Sequence, residues 1–200
     1  MPRIIRIQRP GAFPGPAILW PRRLEVSRAM GEFSGRRSGE SIEERLARIE
    51  DVEAIKNLKA RYAYFCDRGY DADGMAGLFV EDSLWTSNAF GTYRGRAAIH
   101  EFQSTISSEI LWALHFMICP VVEISEDGQT ASGSWYLIEF ATMTRSPQDD
   151  LKDAVVMSAV YNDTFVREHG EWRFKTVSVE FHQVSDLDKG WVLQKFRDQN

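Results

Sequence analysis

The sequence predicts an α+β domain, and the spacing of its apolar residues supports this in two ways. In residues 41–107, apolar residues recur mainly every three or four positions, as on one face of an amphipathic helix. From about residue 111 onward they alternate with polar residues in long segments, as in half-buried strands. Helices followed by long antiparallel strands are typical of a fold in which helices cover one face of a sheet. With 200 residues, 44% of them hydrophobic, the chain is large enough for one core and a pocket.

The helical part is predicted to begin at Ser41. Ser41 and Glu44 have the spacing of a capping box, which marks a helix start. The apolar positions that follow at helical spacing are Ile42, Leu46, Ile49, Val52, Ile55, Leu58, Tyr62 and Phe65. We expect one long helix that ends near Gly69. After it the sequence predicts a short helix around Met75–Phe79, a strand at Ser83–Ser87, a turn region at 91–95 and a third helix over about Arg96–Ser107.

Four β-type segments make up the rest of the chain. They are Leu111–Ile118, Thr130–Met143, Asp153–Arg167 and Glu171–His182, with turn signals at 125–128 and 167–170. Side chains alternate between the two faces of a strand, so Gly133, Trp135, Leu137 and Glu139 share one face. A glycine at 133 indicates that another group approaches the strand closely there.

Residues 1–40 differ from the rest in composition. They hold five of the seven prolines and eight arginines against three glutamates, and no periodicity is sustained. We interpret them as a disordered or loosely attached extension, with the folded domain spanning residues 41–200. The arginines suit an anionic-surface patch, a targeting sequence, or an upstream extension whose working start lies near Met30.

Charge and composition narrow the class of protein. The net charge is −5, and because residues 1–40 are basic, residues 41–200 are strongly acidic, which argues against nucleic acid as a partner. The longest apolar run, Trp112–Ile124, is too short and too interrupted to span a membrane. Cys66 and Cys119 form no metal-binding motif or disulfide framework, and no secretory signal is recognisable. We therefore expect a soluble, cytoplasmic protein.

Asp67 and His115 are the residues most indicative of chemistry. His115 stands inside the apolar run 112–118, where a buried imidazole needs a polar partner, and a carboxylate partner makes it a usable base. Taken singly, each has an ordinary explanation. His115 is equally consistent with a core histidine bonded to a backbone carbonyl, and Asp67 with a solvated carboxylate at a helix end.

Glu139 and Tyr62 are further candidates. Burial beside Trp135 and Leu137 raises the pKa of a carboxyl such as that of Glu139, unless the residue lies at an edge and reaches water. Tyr62 continues the apolar seam and needs a hydrogen-bond partner for its hydroxyl when buried. No two of the four histidines have metal-ligand spacing, and the sequence contains no phosphate-binding glycine loop and no serine nucleophile elbow.

Several segments together resemble the SnoaL-like branch of the nuclear transport factor 2-like superfamily. They are residues 51–62, Asp67, residues 78–82, residues 91–95 and residues 170–174, and the resemblance covers roughly Ser41 to Val192. The segments at 51–67 and 133–139, with His115 between them, are similar to those of bile acid 7α-dehydratase. Scytalone dehydratase and hexachlorocyclohexane dehydrochlorinase look similar in their Asp and His pair. Here Glu139 stands where the bile acid enzyme has Asp, and Tyr62 and Val177 stand where the dehydrochlorinase has cationic residues, so halide expulsion is not expected.

The resemblance implies a cone of three N-terminal helices on a strongly curved antiparallel sheet that encloses a pocket. It implies a cofactor-independent, metal-free dehydratase for a hydrophobic, steroid-like or polyketide-like substrate, assembled as a homodimer or homotrimer. His115 would be the base, Asp67 its partner, Tyr62 a hydrogen-bond donor, and Glu139 would orient Tyr62 or a leaving water. The pocket is expected to be lined by Trp85, Phe90, Trp112, Phe116, Trp135 and Leu137. A ketosteroid-type isomerase and a non-catalytic binding or subunit module are the alternatives.

Deleting the residues before about Gly39 should leave the melting temperature unchanged. Their proline and glycine content cannot bury enough apolar surface to offset the entropy of ordering them. Thermal melts of the full-length and shortened chains test this, and a fall of many degrees would show that the segment belongs to the core.

Overall fold

A computed structural model describes residues 39–146 and 149–197, so the expectation for residues 1–40 falls almost wholly outside the described residues. Numbered in chain order, the helices are α1 (Ile42–Asp67), α2 (Ala72–Ala76), α3 (Arg96–Ile106) and α4 (Gly190–Leu193). The strands are β1 (Phe79–Ser87), β2 (Gly91–Arg94), β3 (Ile110–Ile124), β4 (Thr130–Ser146), β5 (Asp149–Glu168) and β6 (Glu171–Asp186). Within the described ranges, no helix is both long and apolar enough to cross a membrane.

Helix α1 begins at the predicted capping box. The Ser41 hydroxyl accepts a hydrogen bond from the Glu44 backbone N–H at 3.1 Å, and the Glu44 carboxylate accepts one from the Ser41 N–H at 2.7 Å. The helix ends before Gly69 and Tyr70, which both have left-handed backbone conformations, with φ of 76° and 58°. Glycine adopts this conformation without strain, whereas tyrosine does not.

The apolar seam of α1 is buried only in its second half. Ile42, Leu46 and Ile49 are 74%, 54% and 57% exposed, whereas Ile55 is fully buried. The buried residues from there to the end of the helix are Ile55, Leu58, Lys59, Tyr62, Ala63 and Cys66. The predicted helix is therefore confirmed, but its seam meets the rest of the protein later than the sequence pattern indicated.

The six strands form one curved, open sheet in the order β2-β1-β6-β5-β4-β3. All neighbours are antiparallel except β1 and β6, which run parallel, so the expectation of a wholly antiparallel sheet needs this correction. The predicted turn region at 91–95 contains strand β2, which pairs with β1 and places Tyr93 opposite Trp85. Two glycines flanking only three other residues gave a stronger turn signal than strand signal.

Strand β3 separates two sets of side chains. The His115 side chain faces the interior and is 4% exposed, whereas Trp112 and Phe116 point to the outer face and are 50% and 44% exposed. The expectation that Trp112 and Phe116 line the pocket is wrong, because strand alternation turns them away from the face that carries His115. The same outer face carries several other exposed apolar side chains, including Leu114, Ile118, Tyr136, Ile138 and Phe140.

A buried ion pair lies between α1 and β5. Lys59 Nζ is 2.8 Å from Asp163 Oδ2, and both side chains are almost completely inaccessible. The ammonium also lies 3.3 Å from the centroid of the Tyr161 ring and 4.6 Å from that of Tyr62. Burial lowers the pKa of Lys59 and raises that of Asp163, while the attraction between the two opposes both shifts. The pair therefore keeps two charges in the core only because each is the partner of the other.

Lys59→Met and Asp163→Asn should each lower the free energy of unfolding by about 3–5 kcal/mol, because each leaves one buried charge unpaired. The double variant should lose less than the sum of the two, and urea unfolding of all four proteins measures the coupling. Asp82→Asn breaks the exposed pair that Asp82 forms with Lys175 at 2.6 Å and serves as the control, with almost no change expected. Additive losses at Lys59 and Asp163 would show that the two charges are independent.

Candidate active site

Asp67, the last residue of α1, bonds directly to strand β3. Its Oδ1 accepts hydrogen bonds from the backbone N–H of His115 at 2.9 Å and from the ring nitrogen Nδ1 of His115 at 2.8 Å. Strand β3 is an edge strand, so this backbone N–H would otherwise have no partner in the sheet. The unfavourable position of a carboxylate at a helix C-terminus is thus offset by two N–H donors.

His115 is held between two carboxylates. Its Nδ1 bonds to Asp67, and its Nε2 lies 3.2 Å from Glu139 Oε2. His115 and Glu139 are directly opposite each other in the register of β3 and β4, which brings their side chains together on the inner face. The alternative of a core histidine satisfied by a backbone carbonyl does not hold here, because both ring nitrogens face acids.

Glu139 is deeply buried. The residue is 2% exposed, so the alternative in which it reaches water from an edge position is excluded. Within the described part of the chain, its Oε1 has no hydrogen-bond partner. This is unusual for a buried carboxyl oxygen, since nearly all such atoms are hydrogen bonded.

The pKa of His115 and the pKa of Glu139 each depend on the charge of the other residue. Burial by itself would lower the pKa of His115, but the charge of Glu139 and the hydrogen bond and charge of Asp67 raise it above its ordinary value. Burial raises the pKa of Glu139, with a further contribution from the charge of Asp67, while His115 opposes the shift. His115 and Glu139 therefore retain a proton between them more strongly than either residue would in water.

Tyr62 lies apart from these three residues. Its hydroxyl accepts a hydrogen bond from Trp85 Nε1 at 2.9 Å, and its ring packs against Phe79, Tyr161 and Phe174. Glu139 Oε2 contacts His115 rather than Tyr62. The expectation that Glu139 orients Tyr62 therefore has no support in this geometry.

Sequence reasoning missed Tyr70. It is 9% exposed, its ring meets that of His115 edge to face at a centroid distance of 6.2 Å, and its hydroxyl helps to lower the pKa of Glu139. The strained left-handed conformation at Tyr70 places this side chain over the imidazole. Its position next to Gly69, in the turn that ends α1, was the available signal.

Lys59 was also missed. It stands four residues after Ile55 and three before Tyr62, on the face that the helical spacing predicts to be buried. Its charge acts on the site by lowering the pKa of His115. A lysine at a core position of an otherwise apolar seam was the signal that would have identified it.

The other predicted lining residues lie inside. Trp85, Phe90, Trp135 and Leu137 are all buried. Trp135 folds over Gly133, where an added Cβ would collide with the indole ring, which explains the glycine there. A groove of about 710 Å³ runs along the opposite end of the strands, by Ile124, Arg167 and Lys175, and none of the predicted site residues borders it.

The arrangement is suited to moving protons. A buried imidazole that is hydrogen bonded to one carboxylate and in ion-pair contact with a second can hold a proton and pass it to a neighbouring acceptor. In residues 39–146 and 149–197, no three His, Cys, Asp or Glu side chains are grouped so that they could bind a metal ion. The site thus has the features of an acid–base centre built on a curved sheet and its covering helices.

Comparison with known proteins identifies the family. The model of the SnoaL-like domain family matches residues 47–178, and the chain belongs to that family, as its motifs indicated. A nuclear transport factor 2-like protein with a cystatin-like fold from Novosphingobium aromaticivorans superposes with a TM-score of 0.54 at 24% identity, over 78% of this chain and 96% of that one.

Two further solved structures have related folds. Hexachlorocyclohexane dehydrochlorinase LinA-type3 from Novosphingobium barchaimii superposes with a TM-score of 0.63 at 17% identity, covering 71% of this chain and 93% of that one. A candidate scytalone dehydratase from Novosphingobium aromaticivorans gives 0.61 at 19% identity, covering 70% and 89%. At these identities the likeness establishes the nuclear transport factor 2-like fold.

Asp67→Asn should lower the pKa of His115 while keeping the contact between α1 and β3. The asparagine oxygen can still accept both hydrogen bonds, but the negative charge that stabilises the imidazolium is lost. Because the folded-state pKa of His115 is raised above 6.5, its stabilising effect is present below that pH and is lost as the pH rises through the raised value.

Imidazole NMR titration of the wild type and Asp67→Asn measures this shift, with His100, which contacts Asp73 at the surface, as the internal control. The melting temperature of Asp67→Asn should also fall less steeply with pH above 6.5. An unchanged His115 titration would show that Asp67 contributes position and not charge.

Proposed function

We propose that this protein is a cofactor-independent lyase that eliminates water next to a carbonyl group, with Asp67, His115 and Glu139 handling the proton. The observation that carries the proposal is that each ring nitrogen of His115 faces a carboxylate on the inner face of the sheet: Nδ1 is hydrogen bonded to Asp67, and Nε2 forms an ion-pair contact with Glu139. Membership in the SnoaL-like family and the fold shared with a candidate scytalone dehydratase and with LinA support it.

The chemistry follows from what the site can provide. Elimination across a carbon–carbon bond next to a carbonyl needs one group that removes a carbon-bound proton and one that returns a proton to the leaving hydroxyl. A single site that gains and loses one proton can serve both steps in turn. No oxidant or reductant takes part, because the loss of water breaks one C–H and one C–O bond and leaves the overall oxidation level of the substrate unchanged.

The proposed substrate class is flat, hydrophobic and sparingly oxygenated, such as a steroid-like or polyketide-like ring system. The aromatic side chains Trp85, Phe90 and Trp135 are buried, and the ring of Tyr70 packs against His115. The side chains of His115 and Glu139 are almost fully buried. Substrate entry therefore requires movement of the covering side chains, of which Tyr70 lies directly against His115.

A tetralone that carries a hydroxyl β to its ketone tests the proposal. Its dehydration gives a fluorescent naphthol after tautomerisation, so turnover is followed directly by fluorescence and by the loss of water in the mass spectrum. An unsaturated ketone offered in parallel distinguishes the isomerase alternative, since isomerisation moves a double bond without changing the mass.

Asp67→Asn and His115→Ala should each reduce turnover of this compound, by roughly a hundredfold or more for His115→Ala. Because the two residues act as one unit, the double variant should be little slower than His115→Ala alone. Thermal melts must confirm folding, since unpairing buried charges is itself destabilising. Folded single variants that work at the wild-type rate would contradict the enzyme proposal and favour a non-catalytic binding module.

A further inference from the structure

We propose that Glu139, through its free oxygen Oε1, is the group that contacts the substrate and exchanges the proton with it, and that His115 is a positioning residue for Glu139. This inference rests on the proposed elimination chemistry and names the atom that performs it. It differs from the assignment suggested by family resemblance, in which His115 is the base.

Both ring nitrogens of His115 face a carboxylate. Nδ1 is bonded to Asp67 at 2.8 Å and Nε2 is 3.2 Å from Glu139 Oε2. An imidazole has only these two nitrogens with which to accept or donate a proton. While both are engaged, the ring cannot take a proton from a carbon atom unless Glu139 first leaves.

One oxygen of the Glu139 carboxyl has no partner. Oε1 is buried and has no hydrogen-bond partner in the described ranges, although Oε2 of the same carboxyl is held by His115. Burial of a carboxylate oxygen without a hydrogen-bond partner is destabilising. Such atoms are expected where a ligand or a reacting group supplies the missing partner. Among the oxygen and nitrogen atoms of the Glu139 and His115 side chains, Oε1 is the one that takes part in neither a hydrogen bond nor an ion pair within the described ranges.

Tyr70 lies beside the Glu139 carboxyl. The Tyr70 hydroxyl contributes to lowering the pKa of the Glu139 carboxyl. The Tyr70 ring, which lies in the turn after α1, packs edge to face against the His115 ring. The strained backbone at Tyr70 holds it there at an energetic cost. Displacement of Tyr70 by a substrate would both open the site and leave Oε1 facing the incoming molecule.

The reaction can then be written with its protons balanced. The Glu139 carboxylate takes a proton on Oε1 from the carbon next to the carbonyl, and the electrons of that C–H bond form an enolate. The carbon–oxygen bond to the β-hydroxyl breaks as the new carbon–carbon double bond forms. The proton on Oε1 passes to the leaving hydroxyl, giving water and restoring the carboxylate, while His115 stays hydrogen bonded to Asp67 and in ion-pair contact with Oε2.

The test uses β-tetralone in heavy water as the probe. A base in the site exchanges the protons next to its ketone for deuterium, which mass spectrometry counts without any need for dehydration. Glu139→Gln should slow exchange by roughly a hundredfold or more, because the amide cannot accept the proton. Glu180→Gln, on an exposed position of β6, is the matched control and should exchange at the wild-type rate.

His115→Gln should retain part of the activity and move its pH profile. The His115 charge holds the pKa of Glu139 down, so its removal should raise the pH at which exchange switches on. Carbon-13 NMR of the Glu139 carboxyl in His115→Gln should show the same upward shift without any substrate. Glu139→Asp, which withdraws the carboxylate by one methylene, provides a second variant if the glutamine variant does not fold.

The possible results test the assignment of Glu139 as the base separately from the proposed function. If His115→Gln abolishes exchange while Glu139→Gln preserves it, His115 is the base and this inference is overturned, although the proposed function stands. If Glu139→Asp exchanges as fast as the wild type and the Glu139 titration is unaffected by His115→Gln, Glu139 is not positioned as described. If the wild type itself gives no exchange above the buffer rate, both the inference and the proposed function are contradicted.

Discussion

One carboxylate oxygen, Asp67 Oδ1, joins the end of α1 to the edge strand of the sheet and fixes the position of His115. It accepts both the backbone and the ring N–H of His115, so it fixes the strand and the tautomer at once. With Nδ1 committed to Asp67, Nε2 must point inward toward the residue across the strand pair, which is Glu139. The site therefore requires both that α1 end at Asp67 and that β3 and β4 pair in a register that sets His115 opposite Glu139.

The interior carries a second charged pair, and the two pairs influence each other. Lys59 and Asp163 lie further back along α1, enclosed by aromatic rings, and the Lys59 charge lowers the pKa of His115. Removing either partner of that pair would therefore alter the protonation of the site as well as the stability of the core. Because Lys59 and Asp67 are two turns apart on one helix, rigid placement of α1 controls both effects.

Periodicity predicted the elements well, because helical and strand spacing reflect burial directly. The long helix that ends near Gly69 and the shared face of Trp135, Leu137 and Glu139 both followed from counting positions. Counting could not give the strand register, and the contact of His115 with Glu139 depends on that register. The same rule corrects Trp112 and Phe116, since strand alternation that brings His115 inside must place them outside.

What the sequence could not reveal was pairing over long distances. Lys59 and Asp163 are 104 residues apart in the sequence. Lysine and aspartate are residue types that usually lie at the protein surface. Tyr70 was hidden for a different reason, since its role depends on a left-handed backbone that tyrosine seldom adopts. Charged or strained residues at core positions violate local rules, and such violations are expected where a structure serves chemistry.

The two faces of β3 and β4 have opposite characters, and this has a consequence for assembly. The inner face holds His115 and Glu139, while the outer face exposes a group of large apolar side chains: Trp112, Leu114, Phe116, Ile118, Tyr136, Ile138 and Phe140. Monomeric proteins seldom expose so much contiguous apolar surface. The homodimer or homotrimer implied by the family resemblance remains a prediction, but this is the surface it would cover. A second subunit covering it would pack on the same two strands whose register holds His115 against Glu139, so the predicted interface and the proposed site would share one pair of strands.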